Sequence, residues 1–381
     1  MVPEGWSKTN FGSITDIGNG QVDPREEPYS SMVHIGPENV LSGTGQLVNL
    51  KKCSELGLVS GKYEFDKGAV VYSKIRPNLN KVCRPKFSGV CSADMYPIWP
   101  KGELDIEFLF HYMLGPAFYK TAVSMSMRTG MPKINRSDLN TVTVLLPPVS
   151  EQKKIAQILS TWDKAITTTE KLLKNSQQQK KALMQQLLTG KKRLLDDNGV
   201  KFSGEWHKKE LGELLDYKQP SPYLVKSTEY SDEHLTPVLT AGKSFILGYT
   251  NEPDGVFDTN LPVIIFDDFT TASQFVDFPF KVKSSAMKIL VAKKGVSIHF
   301  VYEAMQRINF KVGGHKRHWI STFASLVINI PDQEEQKAIS KVISKMTQEL
   351  KLIEEKLERL KQEKKALMQQ LLTGKRRVKL D

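Results

Sequence analysis

The sequence predicts an α+β chain: two mixed α/β heads joined by two long helices packed as an antiparallel coiled coil, forming a pseudo-two-fold internal repeat. Three observations predict it. The segment KKALMQQLLTGK occurs twice without change, at Lys180–Lys191 and Lys364–Lys375, and the interval from Lys180 to Lys364 defines the repeat offset. Each copy closes a run of apolar residues spaced alternately by four and three, the 3.5-residue period of a coiled-coil seam. The stretches preceding those runs mix short β-branched segments with turn-rich ones, as mixed α/β domains do.

Taken in chain order, residues 1–150 form the first head, 151–190 the first long helix and 191–205 a turn-rich linker containing LLDDNGVKFSG. Residues 206–334 form the second head and 335–375 the second long helix. The second seam reads Ile339, Ile343, Met346, Leu350, Ile353, Leu357, Leu360, Lys364, Leu367 and Leu371. Shifted back by the repeat offset, the first reads Ile155, Leu159, Trp162, Ile166, Thr169, Leu173, Ser176, Lys180, Leu183 and Leu187. No proline interrupts either run, and Gly190 and Gly374 sit where a helix would stop. Helices with matched seams most simply pack on each other, and similar halves within one chain favour the antiparallel arrangement. The alternative is that each helix packs on its own head or on another protein.

The heads share an outline. Gly5-Trp6 and Glu205-Trp206 open them, and buried strands are expected at Ala69–Tyr72 and Val263–Phe266. Short apolar helices follow at Ile106–Leu114 and Ile298–Ile308, with their aromatic residues assigned to the core. A basic, glycine-containing loop comes next in each, then a strand at Val142–Leu146 or Leu326–Ile330 that runs into proline and the long helix.

Composition bounds the function. With 381 residues, 40% of them hydrophobic and 25% charged, the chain can build two or three domains with real cores. A net charge of +12 points to a polyanionic partner, nucleic acid first, with solubility as the alternative explanation. The start of the chain lacks the apolar core of a secretory signal, and no run of about 18 apolar residues could span a membrane. A cytoplasmic protein without a membrane partner is expected. Cys53, Cys83 and Cys91 then read as reduced, at least partly buried thiols, with spacing unlike a zinc site.

DNA recognition needs cations for phosphate and planar donor–acceptor side chains for base edges. In the first head Lys74 and Lys81 suit phosphate, Arg76 suits guanine, and Asn78 or Asn80 suits adenine. Its basic loop adds Arg128 and Lys133. The second head offers Thr270 and Thr271 after two aspartates, then His315, Lys316, Arg317 and His318. Catalytic signatures fail on inspection. Leu146-Pro147-Pro148-Val149 lacks the polar first and aromatic last residues of a base-methylating tetrad. Ala241-Gly242-Lys243-Ser244 has Pro237 where a phosphate loop needs its first glycine. Pro331-Asp332 with Glu334 and Lys337 evokes a nuclease but falls at a helix start, where acidic capping accounts for it.

Unlike heads alternating with near-identical helices, entered by EQKKIA (151–156) and EEQKAI (334–339) and closed by KKALMQQLLTGK, resemble the specificity subunit of a Type I restriction-modification system. The resemblance implies that each head is a target recognition domain reading one half of a split site in double-stranded DNA. It implies a coiled coil that sets the spacer and docks two modification subunits, with restriction subunits joining them. Such a chain carries no catalytic centre, cofactor or metal; S-adenosylmethionine, and ATP with Mg for restriction, belong to the partners. The polar middle of the first helix (Thr167–Thr169, Ser176–Gln179) departs from a continuous seam and leaves that stretch open to a partner. The competing reading is a non-catalytic coiled-coil scaffold presenting two protein-binding heads.

Overall fold

The computed structural model describes residues 2–126, 132–242, 244–310 and 317–380. The chain forms two compact units, one of Met1–Lys171 with Glu355–Asp381 and one of Leu172–Glu354. Each unit therefore takes one head together with part of both long helices, which run Val149–Leu187 and Gln333–Leu371.

In the first unit, strand Ser7–Asn10 pairs antiparallel with Thr143–Leu146, so the head closes on itself where the first long helix departs. A four-stranded antiparallel sheet follows, in the order Thr15–Ile17, Met95–Pro100, Val70–Ser73, Val82–Cys83. A second sheet orders Lys51–Lys52, Val33–Ile35, Gly89–Cys91, Tyr63–Phe65, its middle pair parallel. Helix Ile106–Leu114 starts where Asp105 accepts a hydrogen bond from the Phe108 amide, the expected N-cap chemistry. Phe108, Tyr112 and Phe118 pack with Phe11 and Tyr72, and Ile155, Leu159, Met368 and Leu371 of the long helices complete the same core.

The second unit repeats the plan. Strand His207–Glu210 pairs with Val327–Ile330. The sheet order Leu215–Lys218, Met287–Ala292, Val263–Asp267, Ser273–Val276 matches the first unit strand for strand. The smaller sheet is Ile246–Thr250, Thr236–Leu239, Lys281–Val282, with one antiparallel and one parallel pair where the first unit has two antiparallel and one parallel. The strand corresponding to Tyr63–Phe65 is reduced to a single bridge, Phe257 to Phe280. Helix Ile298–Met305 occupies the place of Ile106–Leu114, and its core takes in Leu187, Leu188, Ile339 and Ile343.

The long helices pack antiparallel within both units. Asp163 meets Lys364, and Glu170 meets Lys361, in the first; Lys180 meets Thr347 in the second. Ile155, Leu159, Ile166, Leu187, Ile339, Ile343, Leu357 and Leu371 are buried, while Trp162, Leu173, Leu183, Met346, Leu350, Ile353, Leu360 and Leu367 are half-buried. Fully burying one such side chain contributes about 1.5–3 kcal/mol, so the seam offsets part of the cost of ordering two long helices. The repeated lysines break the apolar pattern because each finds a polar partner across the seam. Lys364 Nζ lies 2.5 Å from Asp163, and Lys180 donates to the Thr347 hydroxyl at 2.7 Å. Asp163 and Thr347 are themselves equivalent positions of the repeat, so one lysine position meets two different acceptors.

Asp163 also faces His111, whose Nε2 lies 3.1 Å from Ser160 Oγ. Burial, with Lys364 adding to it, brings the His111 pKa down to about 3. The unfolded chain takes up a proton below about pH 6.5 that the folded chain refuses, so stability falls with pH by up to about 1.4 kcal/mol per unit. Thermal melts from about pH 7 to about pH 5 should show that slope. His111→Gln should flatten it, and an unchanged slope would assign the acid sensitivity to other groups.

Candidate nucleic-acid interface and head–arm junctions

In the first head, strand Val70–Ser73 is buried at every position and delivers the chain into the loop 74–81. Pro77 is buried and begins a single 3-10 turn, Pro77–Leu79. The residues on either side of that turn, Arg76 and Asn80, hold left-handed backbone with φ of 47° and 45°. A non-glycine residue there costs roughly 1–2 kcal/mol, a strain retained only where the surroundings fix it. They do. The Arg76 amide donates to Pro132 O at 2.8 Å, the Ile134 amide donates to Lys74 O at 2.9 Å, and Ile75 bridges Lys133.

Two segments far apart in sequence are thereby brought together, with Arg76, Asn78 and Lys133 exposed. Lys74 is half-buried, its Nζ 5.2 Å from the centre of the Tyr96 ring. Asn80 and Lys81 are committed elsewhere. The Asn80 amide donates to Leu114 O at 3.0 Å, and Lys81 Nζ donates to Pro37 O at 2.5 Å. These two side chains hold the loop in place and leave the outward chemistry to Arg76, Asn78, Lys74 and Lys133.

The second head builds the same juxtaposition from different side chains. Asp267 accepts from the Phe269 and Thr270 amides and shapes the turn, leaving Thr270 exposed and Thr271 half-buried with φ of 58°. Asp268 is buried; its carboxylate accepts from the Trp319 amide and its backbone carbonyl from the His318 amide, both at 2.8 Å. Lys288 Nζ, also buried, lies 3.9 Å from that carboxylate and 5.2 Å from the Tyr217 ring centre. Arg317 is exposed at the start of the short helix His318–Ser321. His318, expected on the surface, is instead buried against Phe310 with ring centres 5.6 Å apart. Arg128, His315 and Lys316 lie outside the described residues. Lys133 and Arg317 are related by the repeat offset, so an exposed cation stands at matching places in the two heads.

The junctions between heads and long helices form a second constellation, which the sequence reading missed. Glu151 is buried at the start of the first long helix. It accepts from the Trp6 indole at 3.0 Å and from Arg377 Nε and Nη2 at 2.7 and 2.8 Å. Burial works against its charge, but the Arg377 and Trp6 hydrogen bonds hold its carboxyl below the usual range. In the second unit Glu335 accepts from the Trp206 indole at 3.1 Å and from Arg193 at 2.5 and 2.6 Å. The signal was legible: both the glutamates and the arginines recur at the repeat offset. Beside each glutamate a glutamine bridges to the head. Gln152 accepts from the Asp105 amide and Gln336 from the Ser297 amide, both at 2.8 Å, and each donates back to a proline carbonyl. Asp332 accepts from the Glu335 amide at 2.9 Å, so the nuclease-like Pro331-Asp332 pair is a helix cap.

Cys53, Cys83 and Cys91 are free and buried, and burial pushes the Cys91 thiol up to about 12. Among the described residues no group of three histidines, cysteines or carboxylates is placed to hold a metal ion, and no helix is long and apolar enough to cross a membrane.

Comparison with known proteins gives one consistent answer. Residues 3–176 and 203–362 match the model of the Type I restriction modification DNA specificity domain. The chain is 46% identical over 149 residues to the EcoR124I/EcoR124II specificity subunit of Escherichia coli, covering 36% of this chain and 37% of that one. It is 39% identical over 156 residues to the EcoDI specificity subunit of Escherichia coli, covering 41% of this chain and 34% of that one. It thus spans about a third of the length of those two relatives. A putative MjaX specificity subunit from Methanocaldococcus jannaschii is 27% identical over 359 residues, covering 85% of this chain and 76% of that one. The crystal structure of a Type I restriction-modification S subunit from M. genitalium shares the fold, with a TM-score of 0.66 at 15% identity, covering 97% of this chain and 99% of that one. The HsdS subunit from Thermoanaerobacter tengcongensis matches with a TM-score of 0.50 at 18% identity over 98% of both chains. With its two matched segments covering most of its length, the chain belongs to the Type I restriction modification DNA specificity family.

Proposed function

We propose that this chain reads a bipartite site in double-stranded DNA, one half-site per head, and that the coiled coil sets the unread spacer while docking two modification subunits. One observation carries the reading. Each head brings a strand-end loop against a distant segment bearing a cation, yet the side chains differ: Arg76, Asn78 and Lys133 in one, Thr270 and Arg317 in the other. One scaffold with two chemistries suits two different half-sites. Arg76 and Arg317 have the fork geometry for guanine, Asn78 the amide for adenine, and Lys74 and Lys133 the charge for phosphate. Thr270 and Thr271 suit a thymine methyl. Methyl transfer from S-adenosylmethionine would take place on the modification subunits, and ATP- and Mg-dependent cleavage on restriction subunits, in the cytoplasm. The domain limits follow: heads at 1–150 and 206–334, helices at 151–190 and 335–375, linker at 191–205.

The test is a head exchange. With residues 1–150 replaced by another head, sequencing of methylated adenines in cells that also express the partners should show one half-site changed, with the other half-site and the spacer intact. Inserting about one heptad into both helices should alter the spacer alone. Affinity for duplex DNA should fall steeply with salt, whereas little binding to duplex DNA would favour the protein-binding scaffold instead.

A further inference from the structure

The main chain makes the recognition segments of the two heads correspond residue for residue. The Lys74 amide donates to Asp94 O and the Asp268 amide to Ala286 O, both at 3.0 Å. The Lys74 carbonyl accepts from the Ile134 amide at 2.9 Å, and the Asp268 carbonyl from the His318 amide at 2.8 Å. Lys74 and Asp268 therefore hold the same place, as do Ile134 and His318. Counting on from them, Ile75 corresponds to Phe269, Arg76 to Thr270 and Arg136 to Ile320.

Those places differ in chemistry between the heads. In the first, Ile75 is half-buried in its bridge to Lys133. Arg136 is folded inward, its guanidinium 4.9 Å from the Tyr96 ring centre and donating to Gly18 O. Among the described residues of 74–81 and 132–136, those left exposed are Arg76, Asn78, Lys133 and Asn135, all polar. In the second head Lys288 stands opposite Phe266 as Tyr96 stands opposite Tyr72. The ring that holds Arg136 inward thus has no counterpart at that position, and Ile320 is left 66% exposed. Phe269, between Asp268 and Thr270, is 40% exposed. Scattered apolar side chains on a surface are ordinary, but these two are placed together. Each directly follows one end of the clamp in which the Asp268 carboxylate accepts from the Trp319 amide at 2.8 Å, and exposed Thr270 and Arg317 accompany them.

We propose that the second head recognises the C5-methyl groups of thymine through Phe269 and Ile320, whereas the first reads hydrogen-bonding edges alone. This rests on half-site reading by the heads and adds which feature of the base pair each one detects. The thymine methyl is the one apolar group on the major-groove edge of a base pair, so an exposed aromatic or aliphatic side chain has nothing else there to bury against. Covering one methyl strengthens binding about fourfold. A protein segment could cover the same two side chains, but its binding would be blind to a methyl group on DNA.

Competition binding of the full chain, assembled with its modification subunits, to duplexes in which deoxyuridine replaces thymine decides the matter. The replacement removes the methyl and leaves the pairing edge intact, so the wild-type protein alone gives the answer. The second half-site is the one that stays unchanged when residues 1–150 are exchanged. Uracil there should weaken binding about fourfold for each methyl contacted, and uracil in the first half-site should change nothing. Phe269→Ala combined with Ile320→Ala should bind the thymine and uracil duplexes equally, while Arg317→Ala should keep the difference between them. Equal effects of uracil in both halves, no effect in the second, or a second half-site without thymine on either strand would each overturn methyl recognition and leave half-site reading standing. If binding is indifferent to the bases of both halves, the two readings fall together.

Discussion

Glu335→Ala is expected to destabilise the chain by about 3 kcal/mol, the lower end of the cost of breaking a buried ion pair. The lower end applies because the Arg193 side chain keeps 18% of its exposure, while that of Glu335 keeps none. Alanine would leave the Trp206 indole without its acceptor and the Arg193 guanidinium with only the Gly204 carbonyl, at 2.8 Å, and the desolvation already spent on them would not be recovered. Glu335→Gln keeps one acceptor but loses the charge and the two-pronged fit to guanidinium, so a smaller loss is expected. Equilibrium urea unfolding followed by tryptophan fluorescence measures both. A loss below about 1 kcal/mol for the alanine variant would mean that water replaces the carboxylate freely, as at an exposed pair. The first unit offers an internal control, since Glu151→Ala removes the same three-way contact from Trp6 and Arg377.

Arg76→Ala and Arg317→Ala are each expected to weaken discrimination at one half-site by about 1–3 kcal/mol, roughly 5- to 150-fold, the worth of a two-pronged base contact. The two effects should fall on different halves. Competition binding with duplexes varied one base pair at a time reads this directly, and loss of discrimination in the same half for both variants would refute separate reading by the heads. Arg76 permits a finer separation of roles because its backbone sits at φ 47°. Arg76→Gly relieves that strain and should leave the fold as stable or up to about 1 kcal/mol more stable, while DNA affinity drops.

The long helices were the most legible part of the chain, because a 3.5-residue period over ten positions is a strong pattern and the internal copy confirmed its phase. Buried strands such as Val70–Ser73 and Val263–Asp267 were legible for the same reason, as short β-branched runs bounded by turns. The direction of individual polar side chains was not. Lys81 and Asn80 look like DNA contacts in sequence, and each donates a hydrogen bond to a backbone carbonyl of its own head, a contact the sequence does not announce. His318 looks like a surface histidine beside a cation, but it stands where the first head, one repeat earlier, has the buried Ile134. Aligning the two halves position by position would have exposed that burial, and with it the Glu151 and Glu335 contacts. What no periodicity reveals is convergence: that Ile75 meets Lys133, or Asp268 meets Trp319, depends on how distant strands are ordered.

The glutamine beside each junction has a consequence for how such proteins diversify. Gln152 and Gln336 take hold of Asp105 and Ser297 through a peptide amide, leaving the side chains of those two residues to cap the head helices. The attachment therefore asks for a helix cap and for the indole of Trp6 or Trp206, and places no demand on the head residues that lie away from it.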